Sequence, residues 1–223
     1  MPQGKSVRLT ATDGHSFEAF HAMPPRTPRG GLVLIQEIFG VNEHIRTVAK
    51  FYASKGYAVL APALFDRVEP GVELGYDEAG VTRGRALRTS IGWDSPIHDI
   101  AACEAELVPY GRVATLGYCW GGSLSYVAAA RTRVSAAVCY YGAQIIDFRF
   151  ETPHCPVLMH FGEKDALITK DDVAAIRSAR PDAEIHTYPA GHGFNCTERA
   201  DYHQDSAALA AERTLAFLSA SIG

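Results

Sequence analysis

Five short apolar runs, each set off by glycine, proline or polar residues, restrict the fold of this chain more than any other feature. Gly31-Leu-Val-Leu-Ile35, Tyr57–Ala61, Val113–Leu116, Val134–Tyr140 and Val157–Phe161 contain few polar residues, and a strand that reads as nearly continuous apolar sequence is one covered on both faces. Segments with helical spacing separate or follow them. One is capped by Asn42, carries Ile45, Val48, Ala49 and Tyr52, and ends at Gly56. Others span Ile97–Val108, stopped by Pro109-Tyr-Gly111, then Ser123–Ala130, Lys170–Arg180 and Ser206–Ser219, with a further strand over Glu184–Tyr188. Repeated strand–helix alternation predicts an α/β fold with a mainly parallel, doubly wound sheet. Ahead of it, Val7–Ala11 and Ser16–Ala22 alternate in the strand period around Asp13-Gly14, which predicts an antiparallel hairpin. Residues 62–95 are the least regular stretch and read as loop, short helix around Asp77–Ser90, and loop. No large lid domain is expected.

The bulk properties narrow the functional classes. An even hydrophobic texture over 223 residues, without repeats or low-complexity segments, favours one domain over residues 1–223. A net charge of -4 leaves no basic footprint for nucleic acid. The apolar runs are strand-length, short of the ~20 residues a membrane helix needs, and the N-terminus lacks an apolar secretion core. Five cysteines, an odd number without a CxxC pair, argue against a disulfide framework or zinc knuckle and fit a reducing cytoplasm. His15, His21, His44, His98, His154, His160, His186 and His203 show no ligand spacing, so no metal is expected. There is no cofactor fingerprint and hydrolysis needs none. A monomer or small homo-oligomer is expected.

In sheets of this kind, chemistry gathers on loops at the carboxyl ends of the strands. Gly117-Tyr-Cys-Trp-Gly121 sits there, between a buried strand and a helix. It is the G-x-S-x-G elbow with Cys at the nucleophile position. Its glycines allow a sharp turn, and Cys119 stands at a helix N-terminus, where the dipole favours negative charge. The Trp120 amide points to where an oxyanion forms. Taken alone, such a turn also suits a buried structural Cys. Two partners decide between these readings. His192, in Ala190-Gly-His-Gly-Phe194, follows the strand Glu184–Tyr188 and suits a general base. Asp165, in Gly162-Glu-Lys-Asp165, follows Val157–Phe161 and suits the residue that orients the imidazole. Glu163, Asp171 and Asp172 compete, but only Asp165 lies at the expected strand end. The order nucleophile, acid, histidine is that of α/β-hydrolases. Glu37, in Gln36-Glu-Ile-Phe-Gly40, ends the first parallel strand, where this architecture draws a second oxyanion amide, here that of Ile38. Phe39 flanks the same position. Cys103, Cys139 and Cys155 read as core thiols.

These segments, with Gly56-Tyr-Ala58, Ala61-Pro62, Tyr140-Tyr-Gly142 and Glu212-Arg-Thr-Leu-Ala-Phe217, resemble the dienelactone hydrolase (carboxymethylenebutenolidase) family over nearly the whole chain. The resemblance implies an α/β-hydrolase fold, a Cys119–His192–Asp165 triad and a lactone or small ester as substrate. It implies further that Glu37 takes the thiol proton once an anionic substrate has rearranged the site. Two departures concern the substrate. The family's arginine four residues past the triad histidine is Cys196 here, with Arg199 three residues on. Its other substrate-binding arginine matches Arg83, or equally Arg85. A Glu–Cys–His set also occurs in glutamine-amidotransferase-like amidases and deglycases, and a thiol sensor on a hydrolase scaffold is a third reading.

Overall fold

The computed structural model describes residues 2–223. Strands β1 (Gly4–Thr10) and β2 (Ser16–Ala22) form the expected antiparallel hairpin. Next come β3 (Gly30–Ile35), α1 (Glu43–Ser54), β4 (Tyr57–Pro62), α2 (Glu78–Ile91) and α3 (Ser95–Leu107). The chain continues through β5 (Val113–Tyr118), α4 (Trp120–Arg131), β6 (Ala136–Tyr140), the short turn α5 (Ile145–Phe148) and β7 (Val157–Gly162). It closes with α6 (Lys170–Ala179), β8 (Glu184–Tyr188) and α7 (Gln204–Ile222). The eight strands make one sheet in the order β1-β2-β4-β3-β5-β6-β7-β8. All pairs from β4 to β8 are parallel, and β2 runs antiparallel to β4, so the hairpin extends the edge of the parallel sheet. The fold is the α/β-hydrolase fold.

Alternation along β3 shows how the layers divide. Leu32 and Leu34 pack with Ile45, Ala49 and Tyr52 of α1 and with Ala210 and Leu218 of α7. Val33 and Ile35 point the other way, toward Ile100, Cys103 and Leu107 of α3 and Trp120 and Leu124 of α4. Every residue of β3 is buried, as a strand covered on both faces must be.

Several boundaries differ from the sequence expectation for local reasons. Helix α4 begins at Trp120 rather than Ser123, because Gly121 and Gly122 are helical despite their low propensity. Helix α2 is shifted by one residue, because Asp77 serves as its cap, its Oδ1 accepting from the Gly80 amide at 2.8 Å. Helix α7 starts at Gln204, its first turn capped by His203 Nδ1, which accepts from the Ser206 amide at 3.3 Å. Among the described residues, no helix is long and apolar enough to cross a membrane.

Candidate active site

Register brings the site together. Ile35 of β3 pairs with Gly117 of β5, so the segment after β3 runs beside the turn after β5. That turn is as sharp as the glycine spacing predicts. A Cβ on Gly117 would lie 1.9 Å from the Gly121 carbonyl oxygen, and one on Gly121 2.4 Å from that of Ile35. Between them Cys119 holds φ of 54° and ψ of −116°, outside the range L-residues favour. Its amide donates to the Tyr140 carbonyl at 3.0 Å, which fixes the turn against β6. Trp120 is the first residue of α4, so its amide has no acceptor within the helix.

His192 connects to both expected partners. Its Nδ1 lies 2.7 Å from Asp165 Oδ2 and its Nε2 3.2 Å from Cys119 Sγ. The other Asp165 oxygen, Oδ1, accepts from the Leu167 amide at 2.8 Å. The loops carrying the acid and the histidine are joined, since the Glu163 and Lys164 amides donate to the Tyr188 and Ala190 carbonyls at 2.7 and 3.0 Å. Tyr141, fully buried with φ of 38°, places its ring 5.2 Å from that of His192. Burial opposes the charge on His192, but a Cys119 thiolate and the Asp165 hydrogen bond outweigh it and raise its pKa to about 10. The arrangement can store a thiolate–imidazolium pair and pass a proton between Nε2 and a bound substrate.

Glu37 is buried, 1% exposed, and neither carboxylate oxygen makes a hydrogen bond. Arg199 Nη1 approaches Oε1 at 3.5 Å, and its guanidinium carbon stands 6.0 Å from the centre of the Phe39 ring. Burial pushes the Glu37 pKa up, offset in part by the charges of Arg199 and His192. The Cys119 sulfur is thus bonded to His192, while Glu37 is engaged with Arg199. Arg199 reaches this point through three successive turns, in which the amides of Cys196, Arg199 and Tyr202 donate to the carbonyls three residues earlier. Cys196 is buried below it, its thiol pushed up to about 11 by burial and the Glu37 charge. Gln36 steadies the segment, accepting from the Leu64 amide and donating to the Glu37 carbonyl, each at 3.2 Å.

A cavity of about 310 Å³ opens over Cys119 and His192, walled by Ile38, Phe39, Arg199 and the α2 residues Val81, Arg85 and Arg88. The volume suits a small ligand. Arg83 lies elsewhere, paired with Glu69 and lining a separate surface crevice with Asp77 and Glu78. Of the two arginines the sequence left open, Arg85 is the one the helix turns into the cavity. Arg88 is not among the residues expected from the sequence, although its i, i+3 spacing from Arg85 places both on one helix face. Asp147 and Gln144, around α5, complete the opposite wall.

Comparison with known proteins places the chain in a family. The model of the dienelactone hydrolase family matches residues 17–222. The carboxymethylenebutenolidases of Pseudomonas putida and Pseudomonas knackmussii are each 33% identical over 226 residues, covering 96% of this chain and 96% of theirs. A Klebsiella pneumoniae crystal structure, provisionally named a dienelactone hydrolase, superimposes with a TM-score of 0.88 at 29% identity. That match covers 98% of this chain and 99% of the other.

Proposed function

Since the chain belongs to the dienelactone hydrolase family, and so is a hydrolase of esters or lactones, we propose that it cleaves a small anionic lactone or ester through an acyl-thioester on Cys119. The observation that carries this reading is the continuous Asp165–His192–Cys119 chain, with contacts of 2.7 and 3.2 Å.

In this reading the Cys119 thiolate attacks the carbonyl carbon, and the oxyanion that forms is held by the Ile38 and Trp120 amides. Collapse breaks the bond to the ring oxygen, and His192 gives its Nε2 proton to the departing enolate or alkoxide. The neutral imidazole, oriented by Asp165, then takes a proton from water as the oxygen adds to the thioester. Cys119 leaves as thiolate and the imidazolium is restored.

The preference for an anion rests on Arg85, Arg88 and Arg199 around the cavity, since guanidinium groups bind carboxylates through paired N–H donors. Arg199 takes the part of the arginine that Cys196 replaces. Glu37 gates the thiol. A substrate carboxylate draws Arg199 toward itself, and the freed Glu37 carboxylate takes the proton of a neutral Cys119 and passes it to His192, which completes the thiolate–imidazolium pair before attack.

Steady-state hydrolysis of dienelactone and p-nitrophenyl acetate tests the reading. Cys119→Ala is expected to lose about 10³-fold or more in kcat/KM on both. Equal turnover by wild type and variant would refute it.

A further inference from the structure

We propose that Glu37, His44 and Cys196 form a binding site for a divalent transition-metal ion of the zinc class, beside the Cys119–His192 pair and distinct from it. One carboxylate oxygen, one imidazole nitrogen and the Cys196 sulfur lie within 4.8 Å of one another. Both Glu37 oxygens and His44 Nε2 are buried without a hydrogen-bond partner. Burying a carboxylate in this way carries a large desolvation cost, which a cation at the point where the three groups converge removes. Arg199 does this only in part, at 3.5 Å from a single oxygen.

The donor set selects the class of ion. Oxygen, nitrogen and sulfur together suit zinc and its neighbours, whereas magnesium and calcium take oxygen ligands. Bond lengths of about 2.0–2.3 Å bring ligand atoms closer together than the present spacing, so the turn carrying Cys196 moves inward on binding. His44 also lines a cleft of about 320 Å³ together with Asn42, Tyr76, Thr197 and the carboxylates of Glu43 and Glu198, which offers a cation a way in. When the ion binds, the Cys196 S–H bond breaks, a metal–sulfur bond forms and the proton leaves to solvent. The sequence carries no sign of the site, because its ligands come from the loop after β3, the first turn of α1 and the turns after β8.

Occupation ties Glu37 to the metal and takes it from Arg199, so zinc is expected to inhibit hydrolysis. That consequence rests on the role proposed for Glu37, whereas the binding does not.

The test uses the full chain carrying Cys119→Ser, so that the catalytic thiol cannot bind metal. Zn²⁺ is titrated calorimetrically and Co²⁺ by absorption. One equivalent of each is expected, with a thiolate-to-cobalt charge-transfer band. Adding Cys196→Ser is expected to abolish the band and weaken binding by about tenfold or more, and adding His44→Gln to weaken it similarly while circular dichroism stays unchanged. No binding in the Cys119→Ser protein, or a band that persists with Cys196→Ser, overturns the proposal. Neither readout depends on turnover, so failure of the hydrolase reading would be seen separately.

Discussion

Gly84 of α2 sits so close to Ile38 that a β-carbon on it would stand 2.0 Å from the Ile38 carbonyl oxygen. The contact docks α2 on the segment that supplies the proposed oxyanion amide. Helix propensity alone would make Gly84→Ala stabilising by about 1 kcal/mol. Backbone contact opposes that gain, and a carbonyl held at both ends cannot yield as a flexible side chain does. Gly84→Ala is therefore expected to lower Tm and to cut kcat on p-nitrophenyl acetate by about 10²-fold, the scale of a 1 Å displacement. A variant both more stable and fully active would show that the helix is not fixed there.

Arginine replacements on α2 separate substrate binding from chemistry. Arg85→Ala and Arg88→Ala are each expected to raise KM for dienelactone by about tenfold, while KM for uncharged p-nitrophenyl acetate stays within about twofold. Arg83→Ala is expected to change neither, since its partner is Glu69. Michaelis–Menten series on the two substrates check this.

These three arginines also show how far the sequence could be read. Two positions along a helix amount to about 200° of rotation, so Arg83 and Arg85 face opposite ways. Choosing between them required the phase of α2, which its weak apolar periodicity does not give. By contrast, Cys119, Asp165 and His192 were legible because each follows a strand, two of them fully buried and the third the edge strand β8, and strand ends in a parallel sheet converge on one edge. The Glu37–Arg199 pair lies between these cases. Glu37 was visible at a strand end, but the three stacked turns that carry Arg199 back to it leave no periodic trace in Gly193–Tyr202.

A second buried histidine sets an acid limit on stability. His160 Nδ1 lies 2.8 Å from Tyr188 Oη and Nε2 3.0 Å from Thr214 Oγ1, a network joining β7, β8 and α7. Burial lowers its pKa from 6.5 to about 3. The unfolded chain therefore binds a proton at this residue below about pH 6.5 that the folded chain does not bind until about pH 3. The stabilisation is fully present above pH 6.5 and is lost as pH falls across this window, at up to about 1.4 kcal/mol per pH unit. Urea unfolding at pH 7 and pH 5 is expected to show a smaller loss for His160→Gln than for wild type. Equal losses would mean that His160 does not carry the dependence.

Charge at Glu37 controls thiol reactivity in this account. Glu37→Gln removes a buried negative charge near the Cys119–His192 pair and is expected to speed alkylation of Cys119 by iodoacetamide severalfold, about tenfold for each 1.4 kcal/mol. Identical rates in both proteins would remove the gating role. Intact mass, with Cys119→Ser as the blank, assigns the alkylated site.

The central claim is that the acyl group passes through Cys119, 3.2 Å from His192. Rapid acid quench of wild type turning over p-nitrophenyl acetate, followed by intact and peptide mass analysis, tests it most directly. One acetyl adduct is expected on the peptide containing Cys119, formed within a single turnover and absent from Cys119→Ala. Turnover with no adduct, or an adduct on another residue, would contradict it.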